Sequence, residues 1–279
     1  MSLAGSVISP TRRQTSSSPY SAALDGAPAA RARLAERLES LLRLRADPTD
    51  WIEHNLWIRD KQRRIIPFIL NDIQRDYNQY RTSADLILKA RQEGITTFVE
   101  GLWFADCLLR PNTTSALVAH DLESAQKIFE IAQLFWARLP EREKARAGRP
   151  NRDNKREIAW PAIGSRFWVG AAGSGRFGHG LTIHNLHCSE VARWTHPEEA
   201  LVGLLQAVPA GGRIVMESTA NGVGNHFHTL WKAARDGEGR FIPHFYTWHE
   251  HTEYRSDPTA EQVEVWSEQL RRVGMEVRV

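Results

Sequence analysis

The chain has 279 residues, 42% of them apolar and 25% charged, and a formal net charge of +3. That size admits one large domain or one domain with an appendage, and the composition is that of a globular protein rather than a disordered or fibrous one. No run of about 18 apolar residues is present to form a membrane-spanning helix, the opening stretch lacks the apolar block of a secretory signal, and two cysteines, Cys107 and Cys188, are too few for a disulfide framework, which fits a reducing cytoplasm. The small positive charge permits a polyanionic partner without requiring one. The 10 tryptophans read as packing residues before base-stacking ones.

Residues 1–30 are rich in Ser, Ala and Pro without a period and are expected to be a disordered tail. A helical segment is expected over 31–60. Its first part is "RARLAERLESLLRLRAD", with Leu34, Leu38, Leu41, Leu42 and Leu44 near one stripe. A second short helix follows in "PTDWIEHNLWI". From residue 84 strands and helices alternate. "ADLILKA" reads as a strand, "TTFVEGLWFADCLLR" as a helix stopped by Pro111, and "TSALVAH" as a strand. "DLESAQKIFEIAQLFWARL" reads as a helix capped by Asp121, with Leu122, Ala125, Phe129, Ala132 and Trp136 on one face. "SRFWVGAAG", "LTIHNLHCSE", "GRIVMEST" and "FIPHFYTW" are further strands. "HPEEALVGLLQAV", with Pro197 in its first turn, and "NHFHTLWKAARDG" are helices. "DPTAEQVEVWSEQLRRVG" is a last helix, with Asp257 as cap, Pro258 at its first position and Gly274 as stop. This alternation predicts an α/β fold with a mostly parallel central sheet flanked by helices. Such sheets bind ligands at the carboxyl ends of their strands, which singles out 89–97, 189–190 and 218–222.

At the first of these ends, "LILKARQEGITT" runs from a strand into a loop, a glycine and two hydroxyls. A phosphate loop wraps backbone N–H groups around phosphate at a helix N-terminus, uses a hydroxyl on Mg²⁺ and supplies a lysine to the outer phosphates. The position after Gly94, where that lysine usually stands, is Ile95. If Gly94 is the second glycine of that pattern, Thr96 is the Mg²⁺ hydroxyl and Lys89 or Arg91 can supply the displaced charge; an ordinary β–α turn with solvated charges is the alternative. At the second end, the strand closes in Ser189-Glu190 where an acidic pair is usual. Glu190 can orient an attacking water. Ser189 can bond a metal-bound water but carries no charge, so Mg²⁺ would rest more on Thr96 and the phosphates. His184 and His187 are an odd number apart in a strand and point to opposite faces, and His226 and His228 diverge on a helix, so structural roles are expected for them ahead of zinc. At the third end, "STANG" turns into a helix whose Asn221 and Asn225 can serve as turn or cap residues.

In order and spacing these elements resemble the ATPase domain of phage terminase large subunits, a P-loop NTPase that drives DNA into proheads. "LKARQEGITT" resembles that family's variant Walker A, "LHCSEVARW" its Walker B, "ESTANGVGNHFHTLW" its coupling motif, and "IIPFILNDIQRDY" its adenine-contacting segment. The resemblance spans roughly residues 50–250 and places the ATPase domain over 61–255, with 256–279 as a C-terminal helix or linker. It implies ATP and Mg²⁺ as cofactors. It implies adenine contact by Gln74, and nucleotide contact by Lys89, Arg91, Gln92, Gly94, Thr96 and Thr97, with the metal at Thr96 and Ser189. Glu190 would activate water, and Ser218, Thr219 and Asn221 would couple hydrolysis to movement. A trans-acting arginine is expected, with Arg176 the candidate and Arg166 its runner-up. The implied partners are double-stranded phage DNA, a portal protein, a small terminase subunit and further copies of the chain in a ring. The implied setting is the host cytoplasm, at the prohead portal and not in a membrane.

The chain departs from that family in two places. His179-Gly180 stands where Arg-Gly is usual, and Val279 follows soon after the ATPase region, where a nuclease domain with clustered aspartates would begin. No DNA cutting is expected of these residues. The vacant charges at Ile95 and Ser189 leave two other functions open: a nucleotide- or DNA-binding assembly module without catalysis, and a helicase-like ATPase.

Overall fold

In a computed structural model, all six apolar runs expected to be strands pair into one sheet. The structure describes residues 47–174, 182–252 and 258–272, together with Ala32, Ala35, Glu36, Leu38, Glu39, Ser40 and Leu42. The expected tail over 1–30, the arginine candidate Arg176, and the cap and stop residues Asp257 and Gly274 lie outside the described residues. The chain divides into two units, 1–46 and 47–279. The described residues of the first are helical, as the leucine spacing predicts.

The second unit opens with α1 (Thr49–Asn55). The expected continuation of this helix through "LWI" does not form. Trp57–Arg59 is instead β1, paired antiparallel with β2 (Ile65–Pro67), because aromatic and β-branched residues favour an extended ribbon. The helix α2 (Asp72–Tyr80) is fixed at its start by a reciprocal cap between Asn71 and Gln74. The main sheet begins with β3 (Ala84–Lys89), which leads through the glycine loop into α3 (Ile95–Leu109). Then come β4 (Thr114–Ala119), α4 (Leu122–Arg138), α5 (Glu141–Ala147), β5 (Arg152–Asp153), β6 (Glu157–Trp160), β7 (Ser165–Ala171), β8 (Asn185–Ser189), α6 (Pro197–Gln206), β9 (Arg213–Ser218), α7 (His226–Arg235), β10 (Ile242–Tyr246) and α8 (Ala260–Arg272).

The sheet order is β10-β3-β9-β8-β4-β7-β6-β5. The strands from β10 to β7 are parallel, and β7, β6 and β5 form an antiparallel edge. Between β3, which leads into the loop, and β8, which ends in Ser189, lies β9. Every residue of β8 is buried, since it is sandwiched between β4 and β9 and covered on both faces. That burial removes the in–out alternation expected of a half-exposed strand. Asp121 caps α4, accepting from Ser124 N at 2.8 Å. Its buried face is Ala125, Phe129, Ala132 and Phe135, while Leu122 and Trp136 are only half-buried. Phe135 displaces Trp136 from the core because it packs on Phe68 and Phe104, with ring centroids 6.0 and 5.5 Å away. Pro258 precedes α8 rather than occupying its first turn. Thr259 caps the helix, its hydroxyl accepting from Gln262 N at 3.2 Å.

The two faces of the sheet differ. One carries Leu86, Ala116, Val118, Leu186, Cys188, Ile214 and Met216 against α6 and α7, and is apolar. The other, which α3 covers, holds Asp85, Asn185, His187, Arg213 and Glu217. Asp85 is fully buried at the start of β3 and accepts from Tyr77 OH at 2.9 Å and from Thr82 N and Oγ1 at 3.0 and 2.6 Å, with His244 Nε2 at 3.1 Å. Burial alone would raise this carboxyl, but those hydrogen bonds hold it below its ordinary value. The stabilisation is therefore complete above the unfolded pKa, near 3.8, and is lost as pH falls through the lower folded value. Asp85→Asn is expected to cost about 3 kcal/mol at neutral pH and to flatten the loss of stability below about pH 4. Urea unfolding of both proteins across pH 2–7 checks this, and parallel curves would refute it.

Candidate functional site

The carboxyl ends of β3, β8 and β9 converge, and their sequences close on one another through side chains. The loop after β3 is bent by two left-handed residues, Gln92 (φ 63°) and Gly94 (φ 79°). Gly94 is required twice over: its φ disfavours a side chain, and a Cβ there would meet Gln74 Nε2 at 2.6 Å. Gln74 is buried and braces the loop, donating to Gly94 O at 2.8 Å and accepting from Asn71 N at 2.9 Å.

Lys89 and Thr96, seven residues apart, meet across this loop at a buried carboxylate, Glu217 at the end of β9. Lys89 Nζ lies 2.9 Å from Glu217 Oε2, and Thr96 Oγ1 donates to Oε1 at 3.0 Å. Ser189 Oγ donates to the same Oε1 at 2.7 Å. Behind them His187 Nε2 lies 3.5 Å from Glu217, with Nδ1 2.8 Å from Glu100 of α3. Burial would raise the Glu217 carboxyl, but Lys89 first and then His187 hold it well below the usual carboxylate range. Burial likewise works against the charged forms of Lys89 and His187. Glu217 and then Glu190 raise Lys89 above its ordinary value, and Glu100 and Glu217 raise His187 to about 9. Lys89, His187 and Glu217 are therefore favoured in their charged forms, whereas burial raises Glu100 above its ordinary value.

Glu190 follows β8 in a left-handed conformation (φ 53°, ψ 45°), an uncommon state for a residue with a side chain and a mark of local constraint. Its carboxylate lies across the end of β9. Thr219 Oγ1 and N donate to Oε2 at 3.0 and 3.3 Å, Ser218 Oγ stands at 3.5 Å, and Lys89 Nζ lies 3.7 Å from Oε1. The turn Val191–Arg193 is clamped to the same place. Ser218 Oγ accepts from Ala192 N at 3.2 Å, Asn221 donates to Ala192 O at 3.0 Å, and Trp194 donates to Ser189 O at 3.0 Å.

The structure thus brings together Lys89, Thr96, Ser189, Glu190, Ser218 and Thr219, with Asn221 one step behind. Arg91 and Gln92 are exposed on the loop. Gln74, Gly94 and Thr97 line a separate cleft of about 270 Å³, closed by Ile58, Arg59, Lys127, Glu130, Ile131 and Leu134. Arg166 lies at the opposite, amino-terminal end of the parallel strands, 3.7 Å from Glu157, and so is far from the cluster in this chain. His184 Nδ1 accepts from Thr114 N at 3.0 Å. His226 pairs with Glu198 at 3.0 Å, and His228 Nδ1 accepts from Gly224 N at 3.2 Å. Among the described residues no three His, Cys, Asp or Glu side chains are grouped to hold a metal by themselves.

Glu217 and Glu100 are the residues that motif reading misses. The available signal was a glutamate inside the apolar run "RIVMES", one residue before the motif serine.

No protein-family model and no curated protein matches the chain. Solved structures do. The large terminase of the HK97 bacteriophage aligns with a TM-score of 0.56 at 16% identity, over 78% of this chain and 46% of its own. The large terminase of a thermophilic bacteriophage aligns with a TM-score of 0.52 at 10% identity, over 72% of this chain and 50% of its own. The chain has the fold of phage large terminases. It spans about half the length of those two relatives.

The loop geometry makes Gly94→Ala a direct test of the site. A Cβ in this conformation and in contact with Gln74 is expected to cost about 1–2 kcal/mol in denaturant unfolding. A variant as stable as the parent would contradict the brace between the loop and α2.

Proposed function

We propose that this chain is the ATP-hydrolysing motor domain of a phage terminase large subunit, driving double-stranded DNA into a prohead. The observation that supports this most is Glu190, fixed between Lys89 and the end of β9 at the mouth of a glycine-bent loop. A nucleotide has a place on each side of that loop. The cleft lined by Gln74, Gly94 and Thr97 has apolar walls in Ile58, Ile131 and Leu134, which suit a base, and the cations Arg59 and Lys127. Gln74 is the residue for adenine contact: one N–H and one lone pair of its amide hold the loop and the helix cap, and a second of each remains for the base. The phosphates then reach the backbone N–H groups of the loop and the N-terminus of α3.

Lys89 is the cation nearer the outer phosphates, since it is buried at the cluster, whereas Arg91 and Gln92 stand at the solvent side of the loop. Glu190 orients a water for attack on the γ-phosphorus. As the new P–O bond forms, the bond to the β-phosphate oxygen breaks, releasing ADP and phosphate. The donor set at Thr96, Ser189 and Glu217 is all oxygen, which fits Mg²⁺. Mg²⁺ held there would neutralise phosphate charge. Ser218, Thr219 and Asn221 bond directly to Glu190 and its turn, so a shift of that carboxylate reaches α7 through them. A trans-acting arginine, Arg176 for choice, would come from the neighbouring copy in a ring. The portal protein, the small terminase subunit and the DNA are the partners of this reading, in the host cytoplasm.

Glu190→Gln is expected to retain ATP binding and to lose at least about 100-fold in turnover. Unchanged turnover would overturn the assignment, and binding without turnover in the parent protein under every assembly condition would favour a non-catalytic module. Lys89→Ala is expected to weaken both ATP affinity and turnover, and Arg91→Ala to affect them far less. The reverse ranking would move the phosphate contact to Arg91.

A further inference from the structure

Glu217 has no role in the motifs, yet both hydroxyls assigned to the metal donate to it. It is fully buried and lies directly across from Ser189 in the parallel register of β8 and β9. Thr96 Oγ1 and Ser189 Oγ reach one of its oxygens at 3.0 and 2.7 Å, and Lys89 Nζ reaches the other at 2.9 Å. A hydroxyl has one proton and two lone pairs. To ligate a cation through a lone pair, it must send its proton elsewhere. An ionised carboxylate is a strong acceptor for that proton and places negative charge beside the cation. Position 189, where such a carboxylate is usual, holds a neutral serine. The register sets the missing charge one strand away, on the same face of the sheet. Lys89 already places a positive charge against it.

We infer that Glu217 supplies the carboxylate of the Mg²⁺ site, in place of a Walker B aspartate, from the strand beside Ser189. This rests on the proposed nucleotide function. The competing role is that of a counter-ion for Lys89 alone. The two differ in their dependence on metal. A counter-ion's loss is felt by nucleotide with or without a divalent cation, whereas a metal-site carboxylate is felt only when the cation is present.

The experiment uses the full chain, a fluorescent ADP analogue with Mn²⁺ or with EDTA, and electron paramagnetic resonance to count bound Mn²⁺. Glu217→Gln is expected to weaken Mn²⁺ binding in the ADP complex about 10- to 100-fold, while affinity for ADP in EDTA does not fall, because the freed Lys89 remains available to phosphate. Ser189→Asp combined with Glu217→Gln returns the charge to the neighbouring strand and is expected to restore Mn²⁺ binding. Equal weakening of ADP with Mn²⁺ and in EDTA would overturn the inference in favour of the counter-ion. If Glu217→Gln does not fold, the double variant decides alone: retained Mn²⁺ binding supports the inference, and its loss overturns it. A parent protein that binds no nucleotide under either condition would remove the nucleotide reading itself, an outcome distinct from the others.

Discussion

Glu217 has no exposed surface, and a carboxylate in that position is tolerated only when it is paired and hydrogen-bonded. Its four partners come from three elements. Lys89 ends β3, Thr96 opens α3, and His187 and Ser189 belong to β8. They meet only if β3, β9 and β8 are neighbours in that order and in register, and if α3 starts one short loop after β3. A slip of one residue in β9 would turn Glu217 to the apolar face, against α6 and α7. The same ion cluster therefore disfavours wrong registers in the middle of the sheet and builds the site at its end.

The polarity continues below the site. Beneath Glu217 lie His187 and Glu100, and beneath these Asp106 pairs with Arg213 and accepts from Asn185 at 3.0 Å. Arg213 also stacks over Trp103, 4.8 Å from its ring. The helix α3 is buried on nearly every side, so its two acids must find partners on the sheet, and they do so one turn and a half apart. This orients α3 about its own axis. The helix that begins at the glycine loop is thus locked to β8 and β9 by charge as well as by packing. The opposite face of the sheet packs a mainly apolar cluster on α6 and α7.

The sequence made the strands and most helices legible because apolar period and capping residues are local properties. Asp121, Asn225 and Pro197 behave as their types predict. Trp57 and Ile58 look helical in sequence because their partner, Ile65–Pro67, lies across a turn and leaves no mark in a short window. Phe135 and Trp136 exchanged places for a similar reason: which aromatic enters the core depends on Phe68, far away in sequence. At the site, Lys89, Thr96, Ser189 and Glu190 were visible through spacing. Glu217 was hidden because its meaning lies in a register between two strands separated by a helix. Motif reading follows one segment at a time, and a side chain whose partners lie on the next strand falls between segments.

The charge shared at Lys89 bears on how the proposed site would work. In the cluster as it stands, one ammonium serves two carboxylates, with Glu217 at 2.9 Å and Glu190 at 3.7 Å. Under the proposed function, an arriving triphosphate competes for the same ammonium, and a divalent cation competes for Glu217. Nucleotide and metal would then free Glu190 of Lys89 together, leaving it held by Thr219 and Ser218. Ser218 ends β9 and Thr219 follows it, directly after the Glu217 that would face the metal. Under the same proposal a change in charge at Glu217 would be passed to the next two residues, and from there through Asn221 to the turn before α7. Hydrolysis would reverse the exchange, returning Lys89 to the carboxylates. The left-handed backbone of Glu190 suits such a part, since a constrained residue held by contacts to two strand ends can respond when one set of contacts is withdrawn.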